Sequence, residues 1–191
     1  MKAPAERRLR LFFALWPSAA MQAQLATAAG ATLLALRSGR PVPCEHLHLT
    51  LAFLGSVPES ALQRLANVAA NRAPAPVAPQ GAIESAIEVA FDRLEYWPRA
   101  EIVCAGASVV PRAAQAFAEA LKQSLTSAGF APDLKPFRPH VTLARQVRHR
   151  PLAQTLTEVR WRFRDFALVE SRSSPGGSLY SVRNSWALYS G

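Results

Sequence analysis

One short segment of this chain occurs twice. His48-Leu49-Thr50-Leu51-Ala52-Phe53 and His140-Val141-Thr142-Leu143-Ala144-Arg145 match at four of six positions, and a fifth exchanges Leu for Val. The copies begin 92 residues apart in a chain of 191, close to half its length. Repetition at that distance predicts a duplicated strand–helix–strand unit whose two copies face each other about a pseudo-dyad. Within each copy, alternation with period two sets His and Thr on one face of a strand and the apolar residues on the other. Both apolar faces must be buried, so the two polar faces turn toward a shared cleft.

The rest of the pattern fits such a duplication. Leu11-Phe12-Phe13-Ala14-Leu15-Trp16 reads as a first strand. Ser18 can cap a helix in which Met21, Leu25, Ala28, Thr32 and Leu36 form one stripe, with Gly39 marking its end. The polar-faced strand then runs from His46 to Leu54, placing His46, His48 and Thr50 on one side, and a second helix spans about Glu59 to Ala70. Asn71 to Pro79 is rich in Ala and Pro, the composition of a linker or of a loop between elements. Strands are expected near Ile83–Phe91 and Glu101–Ala107. Pro111 opens a helix carrying Ala114, Phe117, Leu121 and Leu125 as far as Gly129, and Phe137–Arg145 forms the second polar-faced strand. Arg160, Arg162 and Arg164 alternate with Trp161 and Phe163, and Ser178–Leu188 closes the chain after the turn Ser174-Pro175-Gly176-Gly177. The expected class is α+β, with residues 1–191 forming a single domain of two interleaved lobes.

Composition narrows the setting. With 22 Lys+Arg against 13 Asp+Glu the formal charge is +9, which suits an anionic partner without saying which. Of the 22 cations 19 are Arg, a bias that suits phosphate contact but that genomic base composition explains for most of them. Half the residues are apolar, which excludes disorder, and no window approaches the roughly 20 consecutive apolar residues of a membrane span. Arg7, Arg8 and Arg10 precede the first apolar run in the order of a signal peptide. That run is six residues long and stops at Pro17, short of the about 7–15 a signal sequence needs. Cys44 and Cys104 are too few for a disulfide framework or a Cys-based zinc site and read as buried thiols in a reducing compartment. The expectation is a soluble cytoplasmic monomer.

Two imidazoles facing each other across a cleft suit in-line displacement at phosphorus: one takes the proton of the attacking water while the other protonates the departing oxygen. Histidine serves both purposes near neutral pH. Thr50 and Thr142, two residues along the same faces, can hydrogen-bond the non-bridging phosphate oxygens as charge builds there. This chemistry calls for no metal and no cofactor.

These motifs resemble those of the two-histidine (2H) phosphoesterases, and in particular the RNA 2′,3′-cyclic phosphodiesterases once called 2′–5′ RNA ligases. The likeness extends from Arg10-Leu11-Phe12-Phe13-Ala14-Leu15-Trp16-Pro17, through Arg40-Pro41-Val42-Pro43 and the two His-x-Thr segments, to Leu168-Val169-Glu170-Ser171 and Tyr180. It implies two antiparallel sheets lining a cleft with helices outside, and hydrolysis of a terminal ribose 2′,3′-cyclic phosphate to a 2′-phosphate. By the same resemblance His48 is the general acid for the 3′ oxygen and His140 the general base for water, although sequence leaves these roles exchangeable. It further implies that Phe53 and Arg145 sandwich the terminal base. Five residues past its histidine, each would point to the opposite face of an ideal strand, so the strands must bend or end there. The partners implied are RNA ends with 2′,3′-cyclic phosphate, including tRNA halves joined by 2′–5′ linkage. Two other readings remain: a sibling enzyme acting on ADP-ribose cyclic phosphate or 2′–5′ oligonucleotides, and a non-catalytic RNA-binding module.

His46 departs from the family, where Asn is common. It shares the face of His48, so it could touch substrate, couple to its neighbour's charge, or be a tolerated polar residue at the edge. Cys44, His46 and His48 at alternating positions also have metal-binding side chains, without a further ligand nearby. Arg138 is a phosphate contact or the partner of an acid. The Arg160, Arg162 and Arg164 stripe is an RNA track or a solvated strand face. His149, between Arg148 and Arg150, reads as surface, and Trp16, Trp97, Trp161 and Trp186 as packing residues.

Overall fold

The computed structural model describes residues 6–71, 86–152, 156–175 and 177–188. Ten strands and three helices follow in the order β1 (Arg8–Leu15), α1 (Ala19–Leu34), β2 (Arg40–Pro41), β3 (Leu49–Pro58), α2 (Leu62–Ala70), β4 (Ile87–Phe91), β5 (Arg93–Trp97), β6 (Ile102–Gly106), α3 (Arg112–Ser127), β7 (His140–Arg145), β8 (Val159–Phe163), β9 (Asp165–Ser174) and β10 (Gly177–Ala187). The fold is α+β with two antiparallel sheets: a large one in the order β10-β9-β1-β3-β7-β6-β5, with β2 also on β7, and a small β4-β8 ribbon.

The large sheet consists of two four-stranded halves. β3 and β7 join them through a single pair, Leu49 opposite Val141. These residues hold the same position in the two hexapeptides, so the pseudo-dyad passes between them. Continuing that antiparallel register, His48 comes opposite Thr142 and Thr50 opposite His140.

Strand β1 is buried on both faces, which explains its unbroken apolar run. Leu9, Leu11, Phe13 and Leu15 join the main core with Leu25 and Ala29 of α1, Leu65 of α2 and Phe117 and Leu121 of α3. Phe12 and Ala14 face the other way, into a second cluster with Ala167 and Val169 that Trp16, Phe53 and Tyr180 border. The helices therefore cover one face of the sheet and leave the other open. Ser18 caps α1 as expected, its Oγ accepting from the Met21 amide at 3.3 Å. The buried stripe is Gln22, Leu25, Ala29 and Thr32, and the helix ends at Leu34, five residues before Gly39. Gly39 serves a different end: with φ +96°, a Cβ there would meet the Arg145 carbonyl oxygen at 2.8 Å. A bare backbone lets the chain draw close enough for β2 to pair with β7.

The strand expected from His46 begins at Leu49 instead, because Cys44–His46 form a turn of 3-10 helix held by the Leu47 amide on the Cys44 carbonyl. β5 had no sequence signal strong enough to place it. The expected strand from Ile83 is described from Ile87 onward, and the Pro-rich segment beyond Asn71 lies outside the described residues, as does Gly176 of the last turn. Trp161 is buried in the core, its Nε1 donating to the Met21 carbonyl at 2.9 Å, and Trp186 packs on Phe13 and Phe166. Arg160 pairs with Glu88 and Glu158 on the exposed face of β8, and His149 is exposed.

Candidate active site

The two histidines are held alike. His48 Nδ1 lies 2.6 Å from the His46 carbonyl and His140 Nδ1 lies 2.8 Å from the Arg138 carbonyl. A carbonyl can only accept, so each Nδ1 carries the hydrogen, and in the neutral ring Nε2 holds the free lone pair. Both contacts span two residues and sit at equivalent places in the repeat. His46 thus contributes through its backbone, at the end of the short turn that Gln22 fixes from α1. The buried Gln22 amide donates to the carbonyls of Glu45 and Leu47, at 3.0 and 3.1 Å.

Their surroundings differ. His48 stacks on Trp16, with centroids 5.2 Å apart and planes at 10°, and lies against Phe12 and Tyr180. Burial in this aromatic cup pushes the His48 pKa down from 6.5 to about 4; the His46 carbonyl opposes the shift, while the charges of Arg145, His140 and His46 add to it. Burial also lowers the pKa of His140, and there the Arg138 carbonyl and the Glu95 carboxylate favour the cation against the charges of Arg138 and Arg145. Trp97 packs on the His140 ring at 4.6 Å. Glu95 accepts from Trp97 Nε1 at 2.7 Å and pairs with Arg93 and Arg138, whose guanidinium sits 4.7 Å over the Trp97 ring. Arg138 is thus the partner of an acid. Gly106, across from His140, leaves the space Glu95 occupies, since a Cβ there would come within 2.8 Å of Glu95 Oε1. Of this cluster the sequence singled out Arg138 and Trp97; Glu95 carried no motif.

Both threonines are half-buried on the strands that carry the histidines. The odd spacing of Phe53 and Arg145 is resolved by a bulge at the same place in each copy. β1 pairs Ala14 with Thr50 and Phe13 with Ala52, passing over Leu51; β6 pairs Cys104 with Thr142 and Val103 with Ala144, passing over Leu143. One extra residue reverses the alternation, so Phe53 shares the face of Thr50, and Arg145 that of Thr142. A pocket of about 290 Å³ is lined by Arg10, Phe12, His48, Thr50, Phe53, Arg145, Ser171, Ser178 and Tyr180. His140 and Thr142 stand beside it on β7. The guanidinium over the Phe53 ring, at 4.6 Å, is that of Arg10, whose importance the sequence did not signal. Tyr180 touches both His46 and His48.

The Cys44, His46 and His48 set does not lie along one strand, because the 3-10 turn holds the first two. Among the described residues no group of three or more His, Cys, Asp or Glu side chains is arranged to hold a metal ion, and no helix is long and apolar enough to cross a membrane.

A duplicated α+β sheet that brings one His-x-Thr from each half to a common cleft defines the 2H phosphoesterases. Comparison with known proteins agrees. A family model described as the 2′-5′ RNA ligase superfamily matches residues 17–175, and the chain belongs to that family. It is 30% identical over 183 residues to the RNA 2′,3′-cyclic phosphodiesterase of Escherichia coli, covering 94% of this chain and 96% of that protein. To the Thermus thermophilus protein of the same name it is 32% identical over 190 residues, covering 94% and 90%. Among solved structures, E. coli LigT complexed with 3′-AMP superposes with a TM-score of 0.81 at 27% identity, over 96% of this chain and 100% of that one.

Proposed function

We propose that this protein is a metal-independent phosphodiesterase that hydrolyses the 2′,3′-cyclic phosphate at an RNA end to a 2′-phosphate. The observation that carries this reading is the pair of His-x-Thr units related by the Leu49 and Val141 dyad. It agrees with the activity for which the E. coli and Thermus relatives are named.

In this mechanism His140 Nε2 takes a proton from water as its oxygen attacks phosphorus. The bond from phosphorus to the 3′ oxygen breaks, and His48 Nε2 delivers a proton to that oxygen, leaving the phosphate on the 2′ oxygen. The electrostatics support this division. Glu95 favours the imidazolium that His140 becomes, while the apolar cup of His48 makes its protonated form a strong donor. Both rings are neutral in the free protein at pH 7, so the anionic substrate must raise their proton affinity for His48 to be loaded. Each turnover leaves the proton on the opposite histidine, and solvent resets the pair. Thr50 and Thr142 donate to the non-bridging oxygens, and Phe53 with Arg145 holds the terminal base.

A 5′-hydroxyl replacing water at the same phosphorus would yield a 2′–5′ linkage, the reaction expected with tRNA halves. The monomer carries both histidines, so the reaction needs no second copy. Competition tests the substrate class: RNA with a 2′,3′-cyclic end should outcompete ADP-ribose cyclic phosphate and 2′–5′ oligonucleotides. Preference for either of those would assign the site to a sibling reaction, and binding without turnover would favour the RNA-binding module.

A further inference from the structure

A second pocket, of about 370 Å³, opens beside the catalytic one and shares Arg145, Ser178 and Tyr180 with it. Its other lining includes Arg40, His46 and Gln146, over a floor of Pro41, Val42 and Pro43. The volume lies in the range, roughly 300–1,000 Å³, of sites that hold a small organic ligand. Among the described residues no acidic side chain lines it.

The arginines are set in an unfavourable way. Arg40 stands directly opposite Arg145 across the β2 and β7 pair, and like charges in that relation destabilise a sheet. Among the described residues neither has a carboxylate partner, although nearby arginines do: Arg93 and Arg138 pair with Glu95, Arg172 and Arg183 with Glu170. Gly39 exists at the cost of chain freedom to bring this pair together, since any side chain there would strike the Arg145 carbonyl. An anion bound between the two guanidinium groups would relieve the repulsion, and Arg presents paired donors suited to phosphate oxygens. The imidazole of His46, in a T-shaped contact at 5.1 Å with Tyr180, which both pockets share, adds a further polar group to the lining of the second.

We propose that this second pocket is a subsite for the internucleotide phosphate next to the reactive RNA end, held by Arg40 together with the N–H edge of Arg145, whose guanidinium face is left for the terminal base. The proposal rests on the cyclic-phosphate reading above and narrows it: the preferred substrate is an oligonucleotide, and a mononucleotide cyclic phosphate leaves half the groove empty. It also gives His46 a place beside the passing strand.

The test compares three substrates for the wild-type protein: a mononucleotide 2′,3′-cyclic phosphate, a dinucleotide with a 2′,3′-cyclic end, and the same dinucleotide with a neutral methylphosphonate linkage. The charged dinucleotide should show a KM about tenfold below that of the methylphosphonate, as expected for charge-assisted contacts to one phosphate. Its advantage should shrink toward unity in Arg40→Ala and in Arg40→Gln, and with rising salt in the wild type. Equal KM values for the charged and neutral dinucleotides would overturn the subsite while leaving the activity intact. Hydrolysis of none of the three would overturn the cyclic-phosphate reading, and the subsite with it.

Discussion

Leu51 and Leu143 hold the same position in the two halves, and each is the residue at which its strand bulges out of register. The chain thus duplicates a local irregularity along with its motif. In both copies the bulge brings the fifth residue after the histidine, Phe53 or Arg145, to the face on which Thr50 or Thr142 stands. For Phe53 the consequence is a ring that lines the same pocket as His48. Phe53→Ala should raise KM several-fold with little change in kcat, and by similar factors for ends bearing any of the four bases, because stacking reads a π-face and no hydrogen-bond pattern. Steady-state kinetics on four dinucleotides checks this. A loss confined to one base would mean that Phe53 does something more selective.

Gln22 ties α1 to the turn that supplies the His46 carbonyl. Gln22→Ala leaves the Glu45 and Leu47 carbonyls without that donor in a buried setting, and should cost about 1–3 kcal/mol of stability. It should also lower kcat by loosening His48. Chemical denaturation and kinetics on one preparation measure both; full activity at reduced stability would make Gln22 a purely structural residue.

Glu95 supports the cationic form of His140. Glu95→Gln should lower the His140 pKa further and reduce kcat more than it raises KM. NMR titration of the imidazole signals reads the first effect directly. An unchanged His140 titration would leave Glu95 as an anchor for Arg93, Arg138 and Trp97 alone.

Acid should destabilise the fold through the same histidines. Each has a folded pKa below its ordinary value, so the unfolded chain binds more protons as pH falls. For His48 the stabilisation is complete above about 6.5 and is lost as pH falls toward 4. Thermal melts should therefore fall across that window, and His48→Asn should flatten the decline. The kcat profile should lie at higher pH than that of kcat/KM, since an anionic phosphate in the site raises the affinity of both rings for a proton.

Much of this arrangement is legible in the sequence because it rests on local pattern. The paired hexapeptides mark both histidines and both threonines, and the helical stripe of Ala114, Phe117, Leu121 and Leu125 is buried as read. The features without a sequence signal depend on contacts between distant segments. Glu95 is an unremarkable acid until β5 pairs with β6 and sets it beside Arg138. Arg10 is one cation among many until the bulged register of β1 and β3 brings it over Phe53. The bulges show in the sequence only as Leu51-Ala52 and Leu143-Ala144, two apolar residues in a row that break the alternation without distinguishing a bulge from a bend or a strand end. The turn at Cys44–His46 follows Pro43 and interrupts a pattern whose period alone argued for continuous strand.

The central claim is that both histidines act on one phosphorus. RNA with a 2′,3′-cyclic end, incubated in EDTA with wild type, His48→Ala and His140→Ala, tests it most directly when the product is identified. Wild type should give the 2′-phosphate, and each substitution should slow its formation by about 10²–10⁴-fold. Formation at the full rate by either variant would contradict the two-histidine mechanism.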